Sequence, residues 1–189
     1  ADPQWIPNAP IIPNLSYLDA IELAFFGAKV IHPKTIKPLE NKNIPLQVRS
    51  FIDLTNSGTI INELESLEIP PVYIKKESQV LISIKPFDFS FIVEENLSHI
   101  FGILAAHHTK VNLMQNSAIS FSIAVDNERG RIGNVIDELK KFYNVKYNEP
   151  LELITIRHNK PGAEDLVLKG RKILVEQKSR HTARYIYKR

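Results

Sequence analysis

Cysteine is absent from all 189 residues, so neither disulfides nor thiolate metal sites enter this fold. That usage suits a reducing compartment, and a cytoplasmic location is the expectation. Glycine is scarce and scattered, seven residues in all, which leaves no Gly-rich loop to wrap a nucleotide. No apolar run approaches the ~20 residues that span a bilayer. The opening Ala1-Asp2-Pro3-Gln4-Trp5 is neither basic nor apolar, so no signal peptide and no membrane partner is expected. Charge of one sign is also lacking. The net +3 is too small to imply nucleic acid by itself. What surplus exists is local, with eight Lys or Arg and a single Glu from Lys169 to Arg189. Met is missing from the first position, and the chain is expected to be cut from a longer one.

What is present is organised around Gln79 to Asp126. Leu81-Ile82-Ser83-Ile84 predicts an apolar strand closed by Lys85-Pro86. Leu97, Ile100, Phe101 and Leu104 then recur at i, i+3, i+4 and i+7, which puts all four on one face of a helix over 95–108. Val111–Gln115 follows, then a polar corner at Asn116-Ser117. Ile119 to Val125 alternates with period two, the mark of a half-buried strand. Ile132, Val135, Ile136, Leu139, Phe142 and Tyr143 give a second helix, and Val145-Lys146-Tyr147 a returning strand. The order βαββαβ predicts an antiparallel sheet with both helices on one face, a ferredoxin-like topology of the α+β class. That fold hosts many functions and specifies none.

The flanks carry their own punctuation. Pro3, Pro7, Pro10 and Pro13 keep the start extended. Ser16 has the place of an N-cap, with Asp19 three residues on. The helix it opens runs through Leu18, Ile21, Glu22 and Phe25 and is ended by Gly27. His32-Pro33 opens a second helix that fades near Asn41–Asn43. Pro45–Phe51 and Gly58–Ile61 read as strands, and the acidic stretch from Glu63 to the Pro70-Pro71 pair as a linker. Val72–Ile74 is a short strand, Leu151–Ile156 another, Pro161–Lys169 a short helix stopped by Gly170. Ile173–Val175 and Thr182–Tyr187 form a closing pair. The expected division is an α/β portion over 1–62 and a linker over 63–71. A ferredoxin-like unit over 79–149 is then inserted in a second, discontinuous one made of 72–78 and 150–189.

Few residues invite chemistry. Gly27 to Thr35 is the one candidate phosphate site, since a helix start at His32-Pro33 exposes N–H groups and Lys29 could add a point charge. Pattern alone favours an ordinary solvated lysine. His107-His108 suggests a metal, but neighbours on a helix point about 100° apart and no third ligand stands at useful spacing. Arg180-His181 and the basic tail suggest RNA, yet the strands lack the interleaved aromatics of RNA-recognition sheets. The polar corner Asn112, Gln115, Asn116 and Ser117 is different. Its amides and hydroxyl could hold a small zwitterion, with backbone N–H groups near Asn96 taking the carboxylate. Turn chemistry explains the same residues better at this point, since Asn and Ser favour turns anyway.

Phe26-Gly27-Ala28-Lys29-Val30-Ile31-His32-Pro33-Lys34-Thr35 closely resembles the F-G-A-K-V-L-H-P-x-T signature near the end of the aspartokinase kinase domain. Asp2-Pro3 resembles that family's D-P-R, with Gln4 in place of Arg. Ile44–Val48 and Gly58-Thr59-Ile60 are similar to its I-P-V-x-V and G-T-x-I segments. Phe101–Ala105 with Val111-Asn112-Leu113 resembles its first ACT domain, and Arg171–Arg180 its C-terminal ACT portion. The similarity runs in order and spacing over essentially the whole chain.

The resemblance implies a parent enzyme that phosphorylates the side-chain carboxylate of aspartate with ATP and Mg²⁺. It also implies two ACT domains that bind an end-product amino acid, lysine or threonine, in a homodimer. Residues 1–62 would then be the end of the kinase domain, with Asp2 and Lys29 near the nucleotide. Ser90, Asn96, Leu97, Val111, Asn112, Gln115 and Ser117 match positions that line the effector pocket. The amino-terminal lobe with its K-F-G-G motif is missing, so the chain alone is expected to be inactive and to need no cofactor. Asn112 stands where lysine-regulated relatives often carry an acid, which weakens the case for lysine and leaves threonine open. A rival reading is a non-enzymatic ferredoxin-like module that binds nucleic acid through the basic tail.

Overall fold

A cap sets the first helix. In the computed structural model, which describes residues 5–6, 9–28, 31–53, 55–63, 68–88, 90–128 and 131–188, Ser16 ends strand β1 (Asn14–Ser16) and caps α1 (Tyr17–Phe26). Its Oγ accepts from the Asp19 N–H at 3.0 Å and donates to Asp19 Oδ2 at 2.8 Å, which satisfies a donor that a helix start leaves orphaned. Gly27 ends the helix at φ 112°, as the sequence predicts. The buried stripe, however, is Tyr17, Ala20 and Leu23. Leu18 and Phe25, through which the helix runs, are 62% and 56% exposed. Tyr17 turns inward because its hydroxyl finds the Ile44 carbonyl at 2.7 Å. Its neighbour Leu18, about 100° round the helix, is thereby carried outward.

His32 caps α2 (Pro33–Glu40) through Nδ1, which accepts from the Lys34 N–H at 3.2 Å. Strands β2 (Leu46–Val48) and β3 (Thr59–Asn62) complete a three-stranded sheet of order β1-β3-β2, parallel on one side of β3 and antiparallel on the other. β2 stops well short of Phe51, since the Ser50 Oγ accepts from the N–H groups of Ile52 and Asp53 and turns the chain. Ile36, Ile61, Ile69, Val72 and Ile74 close the core of this part with the α1 stripe.

The longer elements follow: β4 (Val72–Lys85), α3 (Glu94–Ala106), β5 (Val111–Ser117), β6 (Ser120–Asp126), α4 (Arg131–Lys140), β7 (Asn144–Arg157), α5 (Asp165–Leu168), β8 (Lys172–Lys178) and β9 (Thr182–Lys188). Their hydrogen-bonded order is β5-β6-β4-β7-β9-β8. The first four strands with α3 and α4 make the expected βαββαβ arrangement. Two pairs of expected strands are each one continuous strand: neither Pro nor Gly interrupts 72–85 to break β4, and β7 runs through Pro150. The chain divides into two units. One comprises Ala1–Lys75, Ile154–Lys169 and Glu176–Arg184, the other Lys76–Leu153, Gly170–Val175 and Tyr185–Arg189.

In the second unit, Val80, Ile82 and Ile84 of β4 and Phe121, Ile123 and Val125 of β6 face Ile100, Ile103 and Leu104 of α3 and Ile132, Val135, Ile136 and Leu139 of α4. A second cluster joins Leu81, Leu113, Ala124, Leu151 and Leu153 with Val175 and Ile186. Two expected core residues lie at the margin: Phe101 is 39% and Phe142 50% exposed. The expected corner also moves. Asn116 and Ser117 remain in β5, and Ala118-Ile119 makes the turn.

Candidate functional site

Both ends of β5 carry polar groups. At the far end, Ile92 ahead of α3 donates its N–H to the Ala118 carbonyl at 2.9 Å, which ties the β4–α3 loop to the β5–β6 turn. Ser117 Oγ lies 2.7 Å from Ser120 Oγ. Asn96 Oδ1 accepts from the Val93 N–H at 3.0 Å, the half of a capping box that the third helical residue supplies; valine cannot return the other half. Ser90 donates its N–H to Asp88 Oδ1 at 3.1 Å. The Ser90 hydroxyl and N–H together hold the Asp88 carboxyl below its ordinary range. Leu97 is half-buried against the helix-side core. Gln115, Asn116 and Ser117 are exposed. Ser90, Asn96, Gln115 and Ser117 are thus brought to one end of the unit. The first turn of α3 also carries Glu94 and Glu95, which temper the attraction of its N–H groups for an anion.

The near end of β5 is a polar network. Asn112, 8% exposed, donates from Nδ2 to Gln79 Oε1 at 2.8 Å and to Asp126 Oδ1 at 2.9 Å. Its Oδ1 accepts from Lys76 Nζ at 2.8 Å. Gln79, fully buried, donates from Nε2 to Asp126 Oδ1 at 2.7 Å and to the Glu77 carbonyl at 3.1 Å. Lys76 Nζ stands 3.8 Å from Asp126 Oδ2. A polar network this buried holds only when its members are satisfied. Val111 is half-buried on the helix side. Asn112 and Ser117 are five residues apart on a strand, roughly 16 Å, so one small molecule cannot touch both on a single copy.

Asp2 and Lys29 lie outside the described residues. Among those described, no group of three or more His, Asp or Glu could hold a metal. His107 instead pairs with Glu138 of α4 at 2.6 Å, and that bond is the main cause holding the Glu138 carboxyl below its ordinary range. No described helix is long and apolar enough to cross a membrane. The basic tail is partly spent on the fold. Arg171 bonds Glu152 at 3.4 Å, Lys178 meets Glu176 at 2.8 Å, and Arg184 lies over the Phe26 ring at 5.0 Å.

Two clusters escaped sequence reasoning. Asp19 of α1 meets His158 at 2.8 Å and Arg157 at 3.6 Å, and Arg157 reaches Glu22 at 2.5 Å. Glu152, 7% exposed, takes a short hydrogen bond from the Tyr187 hydroxyl. Burial first, then that carboxylate, push the tyrosine's pKa upward. Only the alternation of polar with apolar residues on β7 hinted at Glu152.

Comparison with known proteins points one way. Residues 1–50 match the amino acid kinase family. The lysine-sensitive aspartokinase 3 of Escherichia coli is 28% identical over 168 residues, 84% of this chain and 37% of the relative. The bifunctional aspartokinase/homoserine dehydrogenase of Haemophilus influenzae is 45% identical over 71 residues, 36% of this chain and 9% of the relative. The solved E. coli aspartokinase III in complex with aspartate and ADP (R-state) superposes at a TM-score of 0.78 and 25% identity, covering 98% of this chain and 45% of that one. The same protein in complex with lysine and aspartate (T-state) gives 0.76 over 98% of this chain and 44% of that one. The chain therefore spans less than half the length of these relatives.

Proposed function

The chain belongs to the aspartokinase family, as a regulatory portion of it, and from that premise we propose that it binds an end-product amino acid and thereby sets the activity of an ATP-dependent aspartate kinase. Residues 1–62 are the end of the kinase domain in this reading, and 63–71 a linker. Residues 79–149 form an ACT domain inserted in a second one made of 72–78 and 150–189. ATP and Mg²⁺ belong to the longer protein, with Asp2 and Lys29 near the nucleotide. Among the described residues no group of three or more His, Asp or Glu could hold the metal, and no step of the phosphoryl transfer is assigned to this chain. The location is cytoplasmic.

One observation carries the effector reading: β5, the outer strand of its sheet, is polar at both ends, and the ends are too far apart for one ligand. Two copies related by a two-fold axis across the β5 edge would lie antiparallel. Asn112 and Val111 of one copy would then approach Ser90, Asn96, Leu97, Gln115 and Ser117 of the other. The pocket between them would offer amides and hydroxyls to an amino acid's polar groups, and α3 N–H groups to its carboxylate. Pairing would also cover an edge that folded proteins avoid exposing.

Calorimetric titration of the chain with lysine, threonine and methionine tests this. One of them is expected to bind, and Gln115→Ala to weaken that binding with the fold intact, since an exposed amide is lost without opening a cavity. Unchanged affinity would remove Gln115 from the site. Binding of none would remove the assignment. Salt-dependent binding of RNA or DNA with no amino-acid binding would favour the rival reading.

A further inference from the structure

We infer that Arg157 of β7 and Arg184 of β9 are positioning residues for α1: they hold its last turn and so fix where the segment that begins at Phe26 leaves the helix. What that segment meets rests on the kinase-end reading above; the hold itself does not.

Asp19, Glu22 and Phe26 recur at i, i+3 and i+7 and share one face of α1. That face is distinct from the buried stripe of Tyr17, Ala20 and Leu23, and no residue of α1 after Leu23 is buried. β7 and β9 meet it with three basic residues that belong to the same unit as α1. His158 and Arg157 reach Asp19 at 2.8 Å and 3.6 Å. Arg157 Nε stands 2.5 Å from Glu22, a contact of charges rather than an aligned hydrogen bond. Arg184 completes the row over the Phe26 ring.

Arg184 is the informative member. It is half-buried, and its Nε donates to the Thr155 hydroxyl at 3.3 Å. Among the described residues no carboxylate stands within ion-pair reach of it, and burial alone pulls its pKa down. A guanidinium drawn from water without a counter-ion is costly unless its charge is used. The helix supplies the use. The last turn of α1 has no basic residue of its own, and its final carbonyls carry the negative end of the helix dipole. The face of the Phe26 ring adds to the attraction. The turn itself is closed by the Gly27 and Ala28 N–H groups, which donate to the Ala24 and Leu23 carbonyls at 3.1 Å and 2.9 Å. A leucine at 184 would cover the same ring without the desolvation cost, and would leave that helix end uncompensated.

The test is amide hydrogen exchange, followed by NMR, in the unsubstituted chain, Arg184→Leu, Arg184→Lys and Glu22→Gln. Arg184→Leu keeps apolar bulk on Phe26 and removes the charge. Its Gly27 and Ala28 amides should exchange about fivefold faster or more, with β6 unchanged within about twofold. Arg184→Lys restores the charge and should bring both amides back to within about twofold of the unsubstituted chain. Glu22→Gln, a change at a partly exposed side chain, frees Arg157 and should speed the same amides about threefold. Circular dichroism checks the fold, and should Arg184→Leu fail to fold, Glu22→Gln carries the measurement. Unchanged exchange at Gly27 and Ala28 in Arg184→Leu and Glu22→Gln overturns the inference, as does a lysine variant that exchanges as fast as the leucine one, which would reduce Arg184 to packing. None of these rates depends on what the segment binds, so failure of the kinase-end reading leaves the hold standing, and loss of the hold leaves that reading standing.

Discussion

Ile100 and Phe101 sit side by side on α3 with different fates. Ile100 is fully buried between the two helices and the sheet, whereas Phe101 is 39% exposed and touches Phe121 at a ring separation of 5.9 Å. Ile100→Ala is expected to cost about 2–5 kcal/mol, the usual penalty for emptying a filled core site. Phe101→Ala should cost about 1–2 kcal/mol, because its ring loses only part of its contacts. Urea denaturation of the two variants checks the order, and an equal or larger loss for Phe101 would overturn it. Helical spacing alone could not separate them. A stripe of four apolar positions fixes which side of a helix faces inward, but not the angle at which the sheet meets it. Here the contact centres on Ile100, Ile103 and Leu104, and Ile103 was outside the expected set. Caps were easier to read. Ser16 with Asp19, His32 with Pro33, and Gly27 all act within a few residues of themselves, so local chemistry decides them.

A second residue-scale expectation concerns pH. The Glu138 carboxyl is lowered in the folded chain, chiefly by its hydrogen bond with His107. A carboxyl lowered on folding contributes stability above its unfolded pKa and loses it as pH falls through the folded value. The contribution is therefore present at neutral pH and fades in acid, as pH falls below the ordinary glutamate value of 4.5. His107→Gln should make the acid limb of a melting-temperature profile shallower between about pH 6 and about pH 3. Superimposable limbs would show that this surface pair contributes nothing measurable.

At the scale of elements, two glycines predict opposite outcomes. Gly58 precedes β3 at φ +73°, and a Cβ there would fall 2.1 Å from the Val48 carbonyl oxygen of β2. Gly58→Ala therefore combines a left-handed backbone with a clash against a paired strand, and a loss above about 2 kcal/mol is expected. Gly102 lies inside α3 with nothing within 4 Å of an added Cβ. Gly102→Ala should stabilise by about 0.5–1 kcal/mol, because alanine loses less backbone freedom in a helix. Thermal melts of both variants suffice, and a shift of the same sign in each would contradict the argument. The order of elements was legible because apolar periodicity marks each one separately. The continuity of β4 and β7 was not. Polar residues such as Lys75-Lys76-Glu77-Ser78 look like a break, and Ser78 does take a left-handed φ of 53°, yet the strand runs on through them.

At the scale of the whole molecule, the candidate site was half legible. Polar residues from Gln115 to Ser117 stand out on a strand that ought to be apolar, and the sequence shows that directly. The engagement of Asn112 by Lys76 spans 36 positions and depends on which strands become neighbours, which no local pattern reveals. The same topology carries the last prediction. Because β5 is outermost and its two ends are roughly 16 Å apart, an amino acid that touches both must bridge two copies. Binding and dimerisation are then linked, since a ligand that binds only the pair must stabilise the pair. At a hundredfold excess over its dissociation constant, each bound ligand favours the dimer by about 2.7 kcal/mol, or about a hundredfold in the dimer constant. Sedimentation velocity over a dilution series, with and without saturating amino acid, should therefore show dissociation moving to far lower protein concentration when the ligand is present. Reciprocity requires the apparent affinity for the amino acid to weaken as the protein is diluted. An affinity that stays constant from the dimeric to the monomeric range would place the whole pocket on one copy, and the pairing across β5 would have to be abandoned.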